Sequence, residues 1–309
     1  MKRYIKWGLL CVGMIIFILI IRLFLFTSYY IPSKGMENTL LQGDRIVANR
    51  WSYGLRVPYI SPQSPYRIAY KQPQTGEIIL FNNPADKNPE IYKRNLFIGR
   101  CAGVAGDTII VDKDFLLHQK EAYFSPEQKE MYKYRKEDKT TVDSLLKGLN
   151  IYNEVVTEED SLYYYQNLSH YEHYLLSSTP KYNNLLTPNS KTHTQLYPLV
   201  VPRKGETIVV EHWNSALICN TILLHENKQA YIQDNKLYVN GVHTKAYTFS
   251  QDYYWVITNN SINYMDSRLF GFVPHNHIIA KPKFIWLSKD PESSLFTGFR
   301  WNRFLKGIH

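Results

Sequence analysis

The sequence predicts a mainly β protein, preceded by one N-terminal transmembrane helix and interrupted by an inserted second subdomain. Three observations carry this: an uncharged apolar run near the N-terminus, short apolar or alternating runs separated by turn residues through most of the remainder, and a change of composition mid-chain. The 309 residues suffice for one large or two small domains, and a hydrophobic fraction of 44% excludes wholesale disorder. Lys plus Arg number 36 against 27 Asp plus Glu, a net charge of +9 that bears on solubility and association rather than on fold. The 6 Trp, 25 Tyr and 14 Phe suit strands and wet interfaces. Cys11, Cys101 and Cys219 are too few for a disulfide framework; they allow at most one internal bridge and leave the redox compartment open.

From Trp7 to Ile21 the chain reads WGLLCVGMIIFILII, and after Arg22 the apolar character resumes as LFLF. Residues 7–27 are therefore expected to form a transmembrane helix, since about 20 apolar residues span a bilayer. A cleaved secretory signal would need small residues after the run, whereas Phe26, Thr27, Ser28, Tyr29 and Tyr30 stand there. Lys2, Arg3 and Lys6 would hold residues 1–6 in the cytoplasm and send the rest across the membrane. Arg22 lies near the outer end and can snorkel to water.

Beyond the apolar run, GEIILF at 76–81, GDTIIV at 106–111 and LYVNG at 237–241 read as strands. Asp234-Asn235 and Asn240-Gly241 read as hairpin turns, and residues 126–149 carry helical spacing with many charges. Residues 115–202 turn rich in Tyr, Ser, Asn, Lys and Glu and are expected to be an inserted variable subdomain; 28–114 and 203–309 form the main β domain.

Three ordered motifs follow the apolar run. The first is Ile31-Pro32-Ser33-Lys34-Gly35-Met36-Glu37-Asn38-Thr39-Leu40, with Gly43-Asp44 and Arg50-Trp51-Ser52-Tyr53-Gly54 behind it. The second is Phe97-Ile98-Gly99-Arg100-Cys101-Ala102-Gly103-Val104-Ala105-Gly106-Asp107. The third runs from Asp252-Tyr253-Tyr254-Trp255 through Thr258-Asn259-Asn260-Ser261 to Asp266-Ser267-Arg268-Leu269-Phe270-Gly271-Phe272-Val273-Pro274, and the likeness continues into Arg300-Trp301-Asn302-Arg303-Phe304. Together they resemble the bacterial type I signal peptidases, whose boxes read I-P-S-x-S-M-x-P-T-L, Y-I-K-R-x-V-G-x-P-G-D, D-Y-Y-W-x-M-G-D-N-R and x-D-S-R-Y-W-G-F-V-P. The resemblance implies a signal-peptidase-type β domain displayed on the outer side of a bacterial inner membrane, with signal peptides of exported preproteins and membrane lipid as partners.

In that family a serine attacks the peptide carbonyl and a neutral, desolvated lysine takes its proton. The resemblance places Gly35 at the nucleophile position and Gly99 at the lysine position, and neither can do the chemistry. The family's G-D-N-R is Thr258-Asn259-Asn260-Ser261, its lysine-orienting serine is Tyr264, and two of its prolines are Asn38 and Ala105. No catalytic residue is intact. Ser33, matching a serine thought to serve the oxyanion, is the candidate displaced nucleophile; Lys34 is expected in solvent, and Lys93 lies about 20 Å away along a strand. Met36, Thr39 and Leu40 are expected to wall a substrate groove, with Asp44, Arg100, Asp107, Asp266 and Arg268 as its scaffold.

The expectation is thus an inactive homologue that binds signal peptides as an added strand, or assists an active signal peptidase paralogue. An active peptidase using Ser33 and a purely structural membrane subunit are the alternatives. If the groove is intact, Gly35→Ser with Gly99→Lys is expected to restore some cleavage. The histidines, His275 and His277 among them, lack metal-ligand spacing and read as surface residues, so neither metal nor cofactor is expected. No phosphate-binding glycine loop or compact basic-aromatic patch supports nucleic acid.

Overall fold

A computed structural model describes residues 7–8, 10–16, 25–56, 67–118, 127–149, 151, 155–156, 162–178, 184–189, 195–261 and 265–308. In chain order the body begins with strands β1 (Phe26–Tyr30), β2 (Asp44–Asn49), the short pair β3 (Leu55–Arg56) and β4 (Arg67–Ile68), then β5 (Ile78–Asn82), β6 (Leu96–Gly103) and β7 (Thr108–Val111). The inserted region supplies β8 (Lys129–Arg135), β9 (Val155–Val156), β10 (Tyr163–Ser169), β11 (Thr187–Pro188) and β12 (Tyr197–Val200). The last third adds β13 (Thr207–Val209), β14 (Ala230–Gln233), β15 (Lys236–Val239), β16 (Val242–His243), β17 (Ala246–Thr248), β18 (Tyr253–Ile257), β19 (Val273–Pro274), β20 (Ile278–Ser288) and β21 (Lys306–Gly307).

The principal sheet has eight strands, ordered β1-β2-β20-β5-β6-β18-β19 with β21 on β20. Its sequence logic is direct. In β2 the inward positions Asp44, Ile46 and Ala48 are buried while Arg45 is exposed, the alternation of a half-buried strand. All five residues of β18, YYWVI, are buried, as suits a strand covered on both faces. Pro282, which cannot donate to a ladder, sits where the β2–β20 register shifts between Val47 and Ala48. Both hairpin turns form as the sequence predicts: Asp234 and Asn235 join β14 to β15, and Asn240 and Gly241 join β15 to β16, all four with positive φ.

The insert builds its own sheet, ordered β11-β8-β10-β9, backed by the helices Lys139–Gly148 and His170–Ser177. Tyr132, Tyr134, Val142, Leu146, Leu168 and Leu176 form its separate core. The expected helix over 126–149 is half strand, because Tyr132 and Tyr134 alternate inward along β8 before the helix starts at Lys139. β12 returns to the body, pairing antiparallel with β7 from Tyr197↔Val111 to Val200↔Thr108.

Two further expectations change, and the transmembrane helix is unconfirmed. Phe26 and Thr27 belong to β1, not to the N-terminal helix, because they pair with Asn49 and Ala48 of β2. Leu10–Ile16 is helical, but among the described residues no helix is long and apolar enough to cross a membrane, and 17–24 lie outside those residues. His275 and His277 are buried rather than on the surface. Burial lowers the pKa of His275 to about 3, and His277 accepts a hydrogen bond at Nε2 from Arg94 at 2.8 Å. Cys101 and Cys219 are both buried free thiols.

One buried ion pair ties the sheet to the C-terminal segment. Asp44 is wholly buried and accepts from Arg303 Nη2 at 2.6 Å, from Ser288 Oγ at 2.6 Å and from the Leu41 amide at 2.9 Å. Gly43 before it has φ 93° and lies against the Lys289 carbonyl, where a β-carbon would collide at 1.9 Å. Asp44→Ala leaves the Arg303 charge buried without its partner, so it is expected to lower stability by about 3–5 kcal/mol in urea unfolding.

Candidate functional site

The loop 33–40 leaves β1 and returns to β2. Met36 and Leu40 anchor it from below, fully buried beside Ile31, Ile46, Ile78 and Ile279. Their side chains hold the loop down instead of walling a groove. Thr39 is also buried; its hydroxyl donates to Glu127 and accepts from Asn259 Nδ2 at 2.8 Å. Asn38 has φ 73°, which proline's ring forbids and asparagine tolerates. The exchange of the family's proline for Asn38 therefore goes with a different loop conformation.

Gly35 and Gly99 both face the end of β18. A β-carbon on Gly35 would lie 3.6 Å from Thr258 Cγ2 and 3.8 Å from Ser33 Oγ, ordinary van der Waals contacts. Gly99 is different: a β-carbon there would lie 2.5 Å from Val256 Cγ1 and 3.0 Å from the Ile257 carbonyl oxygen. β6 and β18 have closed over the place where a lysine stem would begin. A lysine introduced at Gly99, as in the expected rescue by Gly35→Ser with Gly99→Lys, would begin against Val256 and require that side chain to move.

The scaffold residues hold this closed arrangement. Asp266 is wholly buried and accepts from the Thr258 amide at 2.8 Å, Thr258 Oγ1 at 2.9 Å and Arg268 Nη2 at 2.5 Å. Arg268 Nη2 continues to the Asn260 carbonyl at 3.3 Å, and the Asn260 amide donates to the Gly35 carbonyl at 3.0 Å. Arg100 donates to the Gly76 carbonyl at 2.9 Å and to Glu127 Oε2 at 3.0 Å. Burial depresses the Arg100 guanidinium pKa and Glu127 opposes the shift. Asp107 accepts from the Val104 amide at 3.0 Å and shapes the turn before β7. Asp44 lies in the Arg303 pair described above, and Arg303 Nη2 links it to this network by donating to the Thr39 carbonyl at 3.0 Å.

The candidate stand-ins are not assembled into a dyad. Ser33 is exposed, and among the described residues its hydroxyl has no hydrogen-bond partner. Lys34 is exposed. Lys93 forms an ion pair with Glu90 at 2.7 Å, which raises its pKa, the reverse of what a general base requires. Tyr264 lies outside the described residues.

Sequence reasoning missed Glu127, Lys129 and Asn167, all from the insert. Lys129, its side chain 1% exposed, pairs with Glu37 Oε2 at 2.8 Å, and its amide donates to the Asn259 carbonyl at 2.8 Å. Asn167 Nδ2 donates to Asn260 Oδ1 at 3.0 Å, and Ser261 Oγ donates to Asn167 Oδ1 at 2.6 Å. The inward alternation of Tyr132 and Tyr134 could have revealed β8 as a strand. Nothing in the sequence marks Lys129 as buried, since lysines are seldom so.

A mainly β fold of this kind, with its three ordered boxes gathered around the end of β18, is consistent with a signal-peptidase-like protein. The family "Signal peptidase, peptidase S26" matches residues 4–174 and 200–287, and the chain belongs to it. It is 27% identical over 294 residues to Signal peptidase I of Buchnera aphidicola subsp. Acyrthosiphon pisum, covering 94% of this chain and 78% of that protein. Signal peptidase I of Haemophilus influenzae is 26% identical over 94% of this chain and 72% of its own length, and that of Helicobacter pylori is 23% identical over 96% and 90%.

The two glycines should respond oppositely to a methyl group. Gly35→Ala is expected to change stability by less than about 0.5 kcal/mol. Gly99→Ala is expected to cost about 1–3 kcal/mol by overpacking, and adding Val256→Ala should recover part of that loss in urea unfolding.

Proposed function

We propose that this chain is a non-cleaving member of the signal peptidase family that binds the signal-peptide segment of exported preproteins at the membrane, alone or beside an active signal peptidase. The observation that carries the reading is the open Gly35 amide in the loop after β1, together with two strand edges left unpaired among the described residues. Among the described residues the Gly35 N–H has no hydrogen-bond acceptor, while its carbonyl is taken by Asn260. β1 ends the sheet order, and β6 runs from Leu96 to Ile98 beyond its last described pairing with β18, at Ile257↔Arg100. Tyr29 of β1 and Ile98 of β6 pack against the same core, so the two edges converge on one side of the body.

An extended peptide can add to such edges through main-chain hydrogen bonds, and that mode of binding needs neither a nucleophile nor a base. A carbonyl cradled by the Gly35 N–H would be held without being attacked. The relatives' name, Signal peptidase I, points to signal peptides as the ligand class. The N-terminal apolar run would supply the anchor, leaving the β body on the outer face of the membrane.

Loss of a serine hydrolase nucleophile or base lowers turnover on the order of a millionfold. Full-length protein in liposomes is therefore expected to retain a preprotein bearing an A-x-A site without cleaving it, and Ser33→Ala should behave identically. Cleavage that Ser33→Ala abolishes would establish a rearranged peptidase instead.

A further inference from the structure

We propose that the start of the inserted subdomain, Glu127 to Lys129 with Asn167, is a releasable latch that closes the former catalytic centre against peptide. The proposal rests on the peptide-binding reading above and adds its regulation. The contacts converge from β8, the residues just before it and the neighbouring β10 onto segments that flank Gly35 and Gly99. Glu127 takes the Thr39 hydroxyl and Arg100, the residue next to Gly99. Lys129 takes Glu37 with its ammonium and Asn259 with its amide. Asn167 takes Asn260 and Ser261, and Asn260 is itself bonded to Gly35. A chain laid beside Gly35 would meet these groups before reaching the loop 33–40 from that side.

The chemistry of the contacts favours release over permanence. All of them are hydrogen bonds or ion pairs, and no described hydrophobic cluster spans the insert and the loop: Tyr132, Leu168 and their neighbours form one core, Met36 and Leu40 another. Opening returns Lys129 and Glu37 to water, and the solvation regained offsets much of the lost attraction. The insert stays tethered while it opens, because β7 and β12 join its two ends to the body. A peptide strand that supplies new main-chain hydrogen bonds can therefore compete with the latch. A permanent apolar interface would not yield in this way.

The test uses full-length protein in liposomes, with wild type beside Glu127→Ala/Lys129→Met and the milder Asn167→Ala. Hydrogen exchange is read at the Lys129 and Asn260 amides, with the β8–β10 ladder at Tyr134 as a control that the insert remains folded. A fluorescent signal peptide reports affinity. The latch predicts exchange at least tenfold faster at both amides in the double variant, a smaller gain in Asn167→Ala, and about tenfold tighter peptide binding. Unchanged exchange with an intact ladder overturns the latch, and faster exchange without tighter binding overturns its competition with peptide. If the double variant loses the ladder, Asn167→Ala decides by the same two criteria. Should no form bind peptide, the binding reading fails, and exchange alone decides whether the insert is a releasable closure.

Discussion

The site is organised by the close approach of the end of β18 to two glycines. Val256 and Ile257 lie where a side chain on Gly99 would begin, and Thr258 lies against Gly35. At Gly99 that approach is possible only because the glycine carries no β-carbon, whereas Gly35 has room for one. The approach lets Asp266 and Arg268 clamp Thr258 and Asn260 from behind, and it presents Asn259 and Asn260 to the insert. The absence of a side chain at Gly99 thus goes with the close packing of β6 against β18.

The electrostatics changed together with the sterics. A Ser/Lys mechanism needs a lysine that is buried and unpaired, so that desolvation keeps it neutral. The buried lysine here, Lys129, instead has Glu37 at 2.8 Å and arrives from a different element. Around it stand Glu127, Arg100, Thr39, Asn167 and Asn260, each bonded to another member of the network.

Much of this was legible in the sequence, for local reasons. Alternation and turn chemistry gave β5, β7, β15 and both hairpin turns, because Asn, Asp and Gly at those positions accept positive φ. The ordered boxes identified Gly35 and Gly99 without any structure. What escaped depends on long-range packing: the burial of Met36 and Leu40, the collision waiting at Gly99, and the ion pair of Lys129 with a residue 92 positions away. Phe26 and Thr27 were drawn into the apolar run by hydropathy, yet cross-strand pairing with β2 claims them. His275 and His277 looked like surface residues because spacing says nothing of burial.

The central claim is that the catalytic centre is closed by packing as well as emptied of chemistry. The most direct test compares cleavage of an A-x-A preprotein by Gly35→Ser/Gly99→Lys and by the same pair with Val256→Ala and Thr258→Gly added. The account predicts no cleavage from the first protein and measurable, Ser-dependent cleavage from the second. Equal cleavage by both would contradict it, because the space for a lysine would then have been present all along.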